Sequence, residues 1–374
     1  MATSELRFLE GQSALKERIH ALSGREPNAE QVAFASSCLL HGRLFWESAE
    51  AAPLETKPLL LYYGAAAFSK LLVIAATAGK VSDIGASHGA SCRAGPGDTV
   101  GSFTVFANGD GLFQRFNDVA AKLCRLKYLD NFGYKLFGTP AASSAELGEF
   151  KISLQEILSR IPEHDVAEMY KRCAGEPSST LRLLVQAPVR METNFRIRVD
   201  VPEGFEDEAS LLAHLERLRT QAPFLGRWRL LSSQHAWDHS ITYFVNRDGA
   251  GSAEEFAGHF DAEQRSFVAA LPAGLPQFDA FASLPSLAGG YSGSSSYLAP
   301  IEGRSVCEHS LQLLGLLALS SLVRYRPHVW TGCVHRRPIS GRPVDDSLLP
   351  VIETFLRTAT EAFPKLVADV LLAR

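Results

Sequence analysis

Lysine is scarce in this chain. Ten Lys stand against 27 Arg in 374 residues, and the formal net charge is -4. No global positive field exists to hold a polyanion, so any nucleic-acid contact has to be local and arginine-based. Paired cysteines are missing too: Cys38, Cys92, Cys124, Cys173, Cys307 and Cys333 are scattered, with no Cys-x-x-Cys. That spacing excludes a disulfide framework and predicts a reduced, cytoplasmic chain. The opening "MATSELRFLEG" has no apolar core flanked by basic residues, hence no secretory signal. One long apolar run exists, "PLLLYYGAAAFSKLLVIAATAG" at residues 58–79. Lys70 sits near its middle beside Ser69, and Tyr62–Tyr63 lie close by, which predicts a buried helix and no membrane partner.

Cofactor signatures are equally thin. Gly109-x-Gly111 and the Gly/Ser-rich stretch at residues 288–300 lack the strand, spacing and following helix of a phosphate-binding fingerprint. Cys307-x-His309 and Cys333-x-His335 place ligands two apart, on different faces of a helix. We therefore expect no cofactor and no metal.

The chain does carry long helical patterns at both ends. "NAEQVAFASSCLLHGRLFWESAEAA" starts with Asn28 as a cap and sets Val32, Ala35, Leu39 and Trp46 at helical spacing. Residues 59–78 are apolar on most faces, as the centre of a bundle requires. In "TVGSFTVFANGDGLFQRF" two β-prone runs flank Asn108-Gly109, which predicts a hairpin. "SLQEILSRIPEHDVAEMY" reads as two short helices around Pro162. "TLRLLVQAPV", "NFRIRVDV", "RWRLLSS" and "SITYFVN" read as strands, with a helix from Glu208 to Gln221 among them. Residues 288–300 read as a loop. Ser305-Val306-Cys307-Glu308 fits a capping box that starts a helix at Val306, ended by Pro327, and a final helix spans residues 346–372 with a break near Pro364.

The expected fold is α+β and predominantly α. Residues 1–95 and 301–374 form a helical bundle, with an antiparallel-sheet α+β region inserted at 96–300. No internal repeat is present.

The most distinctive stretch is "ALSSLVRYRPHVW", where a buried helix runs into Arg324, Tyr325, Arg326, His328 and Trp330. Cations suit the last turn of a helix, where unpaired carbonyls carry partial negative charge, and Tyr325 and Trp330 can pack under the arginines. Here the chain resembles the YaaC-like family, whose pattern is a helix ending in Leu-Ser-Ser, then Arg-Tyr, a Pro and a Trp. "LLLYYGAAAFSKLL", "SHGAS", "DGLFQRF" and "SLQEILSRIP" match in the expected order, although Ala90 stands where the family carries a bulkier residue after His88-Gly89. The resemblance implies the fold but brings no activity with it. The helical ends are also similar to the HEPN superfamily of RNA-cutting bundles, whose hallmark is Arg, four to six residues, then His. Arg304-Ser-Val-Cys-Glu-His309 supplies it, as does the strand-borne Arg229-x5-His235.

That second resemblance implies a metal-independent ribonuclease of stress or phage defence. His309 would take the 2′-hydroxyl proton and Arg304 would stabilise the phosphate. It also implies a homodimer. The alternatives are a non-catalytic scaffold subunit gripping a protein partner through Arg324, Tyr325, Arg326 and Trp330, or a small-molecule sensor lined by Tyr63, Lys70 and His88. The pair of His235 and Asp238 in "HAWDHS" lacks a nucleophile loop and reads as a turn between strands. Trp228 and Trp237 beside basic strands offer a possible single-strand stacking face.

Overall fold

A computed structural model describes residues 6–85, 87–93, 99–123, 126–130, 133–137, 141–176, 178–186, 196–201, 205–236, 239–246, 258–269, 287–289, 295–337 and 346–372. The elements are, in order, α1 (Gln12–Ser23), α2 (Ala29–Glu50), α3 (Lys57–Thr77), α4 (Val81–Gly85), β1 (Ala90–Arg93), β2 (Thr104–Ala107) and α5 (Leu112–Leu123). Then come β3 (Leu126–Asp130), β4 (Gly133–Phe137), α6 (Ser144–Leu147), β5 (Phe150–Ser153), α7 (Leu154–Ser159), α8 (His164–Ala174), β6 (Thr180–Gln186), β7 (Arg196–Val201) and α9 (Glu208–Gln221). The chain continues through β8 (Trp228–Ala236), β9 (His239–Asn246), β10 (Gly258–Asp261), β11 (Ser266–Ala269), β12 (Leu287–Gly289) and β13 (Ser295–Leu298). It ends with α10 (Glu308–Tyr325), α11 (Pro327–His335) and α12 (Leu349–Leu372).

The chain divides into two compact units. Met1–Leu123, Ala141–Ser178 and Pro300–Arg374 make the helical unit, and Cys124–Pro140 with Ser179–Ala299 make the other. The inserted unit is therefore narrower than the 96–300 span expected from the sequence. Residues 99–123 and 141–178 belong with the helices because α5, α7 and α8 bury their apolar faces there.

In the helical unit the Asn28 cap forms as a full capping box with Gln31. Gln31 also closes the far end of α3, donating to the carbonyls of Ala78 and Gly79 at 2.7 and 2.9 Å. Helices α2 and α3 cross closely because Gly42 and Gly64 leave room for Phe68 and Trp46. Trp46, Phe68, Phe116, Phe355 and Phe363 fill the core, with Phe363 centred 6.0 Å from Trp46 and 5.9 Å from Phe116. The two ends of the chain thus share one core. Helix α3 has the length and composition to cross a membrane, yet 67% of its most apolar window is buried inside the protein.

Pro364 does not break the last helix, which runs unbroken from Leu349 to Leu372. A proline cannot donate to the carbonyl four residues earlier. That carbonyl, on Thr360, instead accepts from Trp46 Nε1 at 2.7 Å, so the core supplies the missing donor.

Two further expectations are corrected. Asn108-Gly109 is not a hairpin: β2 pairs with β1 and β5, and residues 112–123 form α5. Leu112, Phe113, Phe116, Val119 and Ala120 give this segment a buried helical stripe, which outweighs its β-prone composition. The first α5 amides are met by loop carbonyls, Leu112 N by Ser87 O at 3.0 Å and Phe113 N by His88 O at 3.0 Å. Likewise residues 295–298 are strand β13, not loop, because Leu181 and Leu183 of β6 stand in register with Tyr297 and Ser295.

In the second unit the strands follow the order β10-β11-β8-β9-β7-β6-β13-β12, antiparallel throughout, with the β3–β4 hairpin joined to β6 by a single parallel pair, Leu129 and Gln186. Alternate residues Leu181, Leu183, Ile197 and Val199 face one side. Leu211, Leu215 and Leu218 of α9 cover them at helical spacing, with Phe205 and Trp228. Trp228 is 1% exposed, which removes it from any stacking face. Trp237 and Asp238 lie outside the described residues, between the paired ends Ala236 and His239 of β8 and β9.

Candidate functional site

The sequence expects a catalytic pair at the start of α10, and its geometric premise fails. The helix begins at Glu308 with Cys307 as its cap residue, and no side chain caps it. Cys307 is extended, and both it and Val306 are buried, at 2% and 5% exposure. Ser305 is therefore too early to cap, and its carbonyl accepts from Ala142 N at 2.9 Å.

Arg304 and His309 consequently have separate partners. Arg304 Nη1 donates to the carbonyl of Leu147 at the end of α6. His309 lies edge-on to Phe363, 6.3 Å between centroids. Part of the residue reaches solvent, but Nδ1 is sealed and has no hydrogen-bond partner among the described residues. Burial pushes the imidazole down to about 4, with Gln312 pulling weakly the other way. A neutral ring is what a general base needs, yet among the described residues no guanidinium is bonded to it, and Arg304 is held by Leu147.

Glu308, expected to fold back as a cap, faces a second carboxyl instead. Glu308 is 4% exposed. Gln312 Nε2 donates to Glu163 Oε1 at 3.1 Å and lies 3.5 Å from Glu308 Oε1, which gathers both acids at the starts of α8 and α10. No cation pairs with either among the described residues. Burial raises both carboxyls, and the neighbouring Glu163 raises Glu308 further. Two like charges this close cannot both be ionised cheaply, so the pair shares a proton. Sequence reading missed it, since no local signal links positions 163 and 308. No group of three or more His, Cys, Asp or Glu gathers as a metal site among the described residues.

The residues that do converge are those of the α10 C-terminus and α3. Arg324 Nε donates to Ser320 O and Nη1 to Tyr63 Oη, each at 3.3 Å. Its guanidinium carbon lies 4.9 Å from the Tyr325 ring centroid, 5.8 Å from Tyr63 and 6.0 Å from Tyr62, all within cation–π range. Tyr62 Oη shares a 2.8 Å hydrogen bond with Nδ1 of exposed His88. No carboxylate forms an ion pair with Arg324 among the described residues. Its remaining N–H groups form a planar donor set suited to an oxyanion.

The electrostatics agree. His88 is lowered by partial burial, then by the positive charges of Arg324 and Lys70. Burial holds Tyr62 well above its ordinary value and takes the Cys92 thiol up to about 11, while Arg324 opposes both. The site is thus a neutral, hydrogen-bonded aromatic wall around one arginine, with Lys70 of α3 adding charge.

A family model described as "YaaC-like Protein" matches residues 7–371. The chain belongs to the YaaC-like family. No curated protein and no solved structure matches it. In this YaaC-like chain the sequence-singled cluster separates into unlike parts. Arg324 and Tyr325 join His88, Lys70 and Tyr63, with Tyr62 as the member that sequence reading passed over inside its Tyr-Tyr pair. Trp330 goes elsewhere: it is 1% exposed and its Nε1 donates to Glu55 O at 3.0 Å, so it anchors α11 in the core and does not lie under an arginine at the surface. Pro327 starts α11 immediately after α10 ends, and the Arg326 carbonyl accepts from Val329 and Trp330 N at 2.9 and 3.1 Å. His328 is exposed on that helix.

Proposed function

We propose that this YaaC-like protein binds single-stranded RNA at Arg324, as a binding component and not as a nuclease. The observation that carries the reading is a guanidinium without a carboxylate partner among the described residues, set among three tyrosine rings of which Tyr325 is 68% exposed. Arginine suits a phosphodiester, and an exposed ring beside it suits the stacked base, a contact worth about 1–3 kcal/mol per base. Cleavage by Arg304 and His309 finds little support, because the first is held by Leu147 and the second has its Nδ1 sealed. A protein partner with an acidic side chain is the competing occupant of the same surface.

The test is fluorescence anisotropy of a labelled single-stranded RNA with the full chain and with Tyr325→Ala and Arg324→Gln. Loss of the stacking ring should weaken binding about tenfold, from the lower half of that energy range. Equal affinity for all three proteins, or none for any, ends the proposal.

A further inference from the structure

We propose that a second site, independent of Arg324, binds a small phosphorylated anion in a cleft of the helical unit. The cleft has a volume of about 280 Å³ and lies among the residues after α1, the end of α3, α4 and α5. Three cations line it, Arg25, Lys80 and Arg115, over an apolar floor of Val73, Ile84 and Val119.

The state of these cations points to an anion. Neither Arg25 nor Lys80 makes an ion pair among the described residues, and both are exposed. Arg115 reaches Asp110 at 3.3 Å, but that aspartate is 78% exposed, and a solvated pair of this length holds weakly. The Arg115 side chain is 37% exposed and lines the cleft, so its guanidinium can exchange that pair for a ligand oxygen.

Two aspartates also line the cleft and oppose an anion. Asp118 is turned to the protein, its Oδ1 accepting from Ser144 N at 2.7 Å, whereas Asp83 is exposed and its Oδ1 accepts from the neighbouring Ser82 Oγ at 3.1 Å. Arg25, Lys80 and Arg115 against Asp83 and Asp118 still leave the lining a positive excess. Its volume falls just below the roughly 300–1,000 Å³ of pockets that enclose drug-sized molecules, which favours a phosphate or pyrophosphate group over a dinucleotide.

The experiment is calorimetric titration of the full chain with inorganic phosphate and with pyrophosphate, in chloride buffer at constant ionic strength. Saturable binding is expected, weakened about tenfold by Lys80→Gln and by Arg115→Gln as a charge-assisted contact is lost. Asp83→Asn should tighten it. Lys80 is exposed, so Lys80→Gln stays informative should Arg115→Gln fail to fold. Absence of saturable binding overturns the proposal, as does binding that Arg324→Gln abolishes and Lys80→Gln leaves intact. The RNA experiment above reads a different surface, so either proposal can fail alone.

Discussion

Replacing Glu308 by Gln should stabilise the protein at neutral and alkaline pH. Glu308 sits beside Glu163, with no cation to offset the charge among the described residues. An amide at position 308 removes the like-charge contact and offers an N–H that needs no shared proton. A hydrogen bond to a buried carboxylate contributes about 1.5–3 kcal/mol, and for a domain of this size each kcal/mol moves Tm by about 2–4 °C. A rise of roughly 3–12 °C follows at pH 8.

The pH dependence gives the sharper test. A carboxyl raised in the folded state contributes its full stability below the value of the unfolded chain, 4.5, and loses it as pH climbs towards the folded value. The advantage of Glu308→Gln should therefore be small near pH 4.5 and grow upward. Thermal melts of both proteins from pH 4.5 to 9 measure it. A variant less stable than the parent at every pH refutes the shared-proton account.

Gly64→Ala should destabilise by about 1–3 kcal/mol in urea unfolding, because its new methyl would stand 2.6 Å from Trp46 where α2 and α3 meet. Trp330→Ala should cost about 3–5 kcal/mol by the same assay while far-UV circular dichroism keeps its helical shape, since the indole is a core anchor.

Much of the fold is legible locally. The helix Glu208–Gln221 has the bounds its pattern predicts, and the four predicted strand runs form β6 to β9. Asn28 caps α2, and Val32, Ala35, Leu39 and Trp46 are all buried as their spacing requires. Local chemistry misleads where a distant partner outweighs it. Asn108-Gly109 has good turn chemistry, yet the stripe from Leu112 to Ala120 has a core to enter. Ser305 has good cap chemistry, yet the chain is still extended at Cys307 and the helix starts at Glu308. At the candidate site, Arg324, Tyr325, His88, Lys70 and Tyr63 could be named from the sequence. That they belong to one place, and Trp330 to another, could not.

Residue order by itself determines the periodic elements, because apolar spacing and capping act over a few neighbours. Only tertiary structure decides which carbonyl Trp46 completes beside Pro364, that Glu163 meets Glu308, and that Arg324 lies among tyrosines. The reason is that burial and charge pairing depend on groups far apart in the chain, and their free energies appear only once the helices have packed.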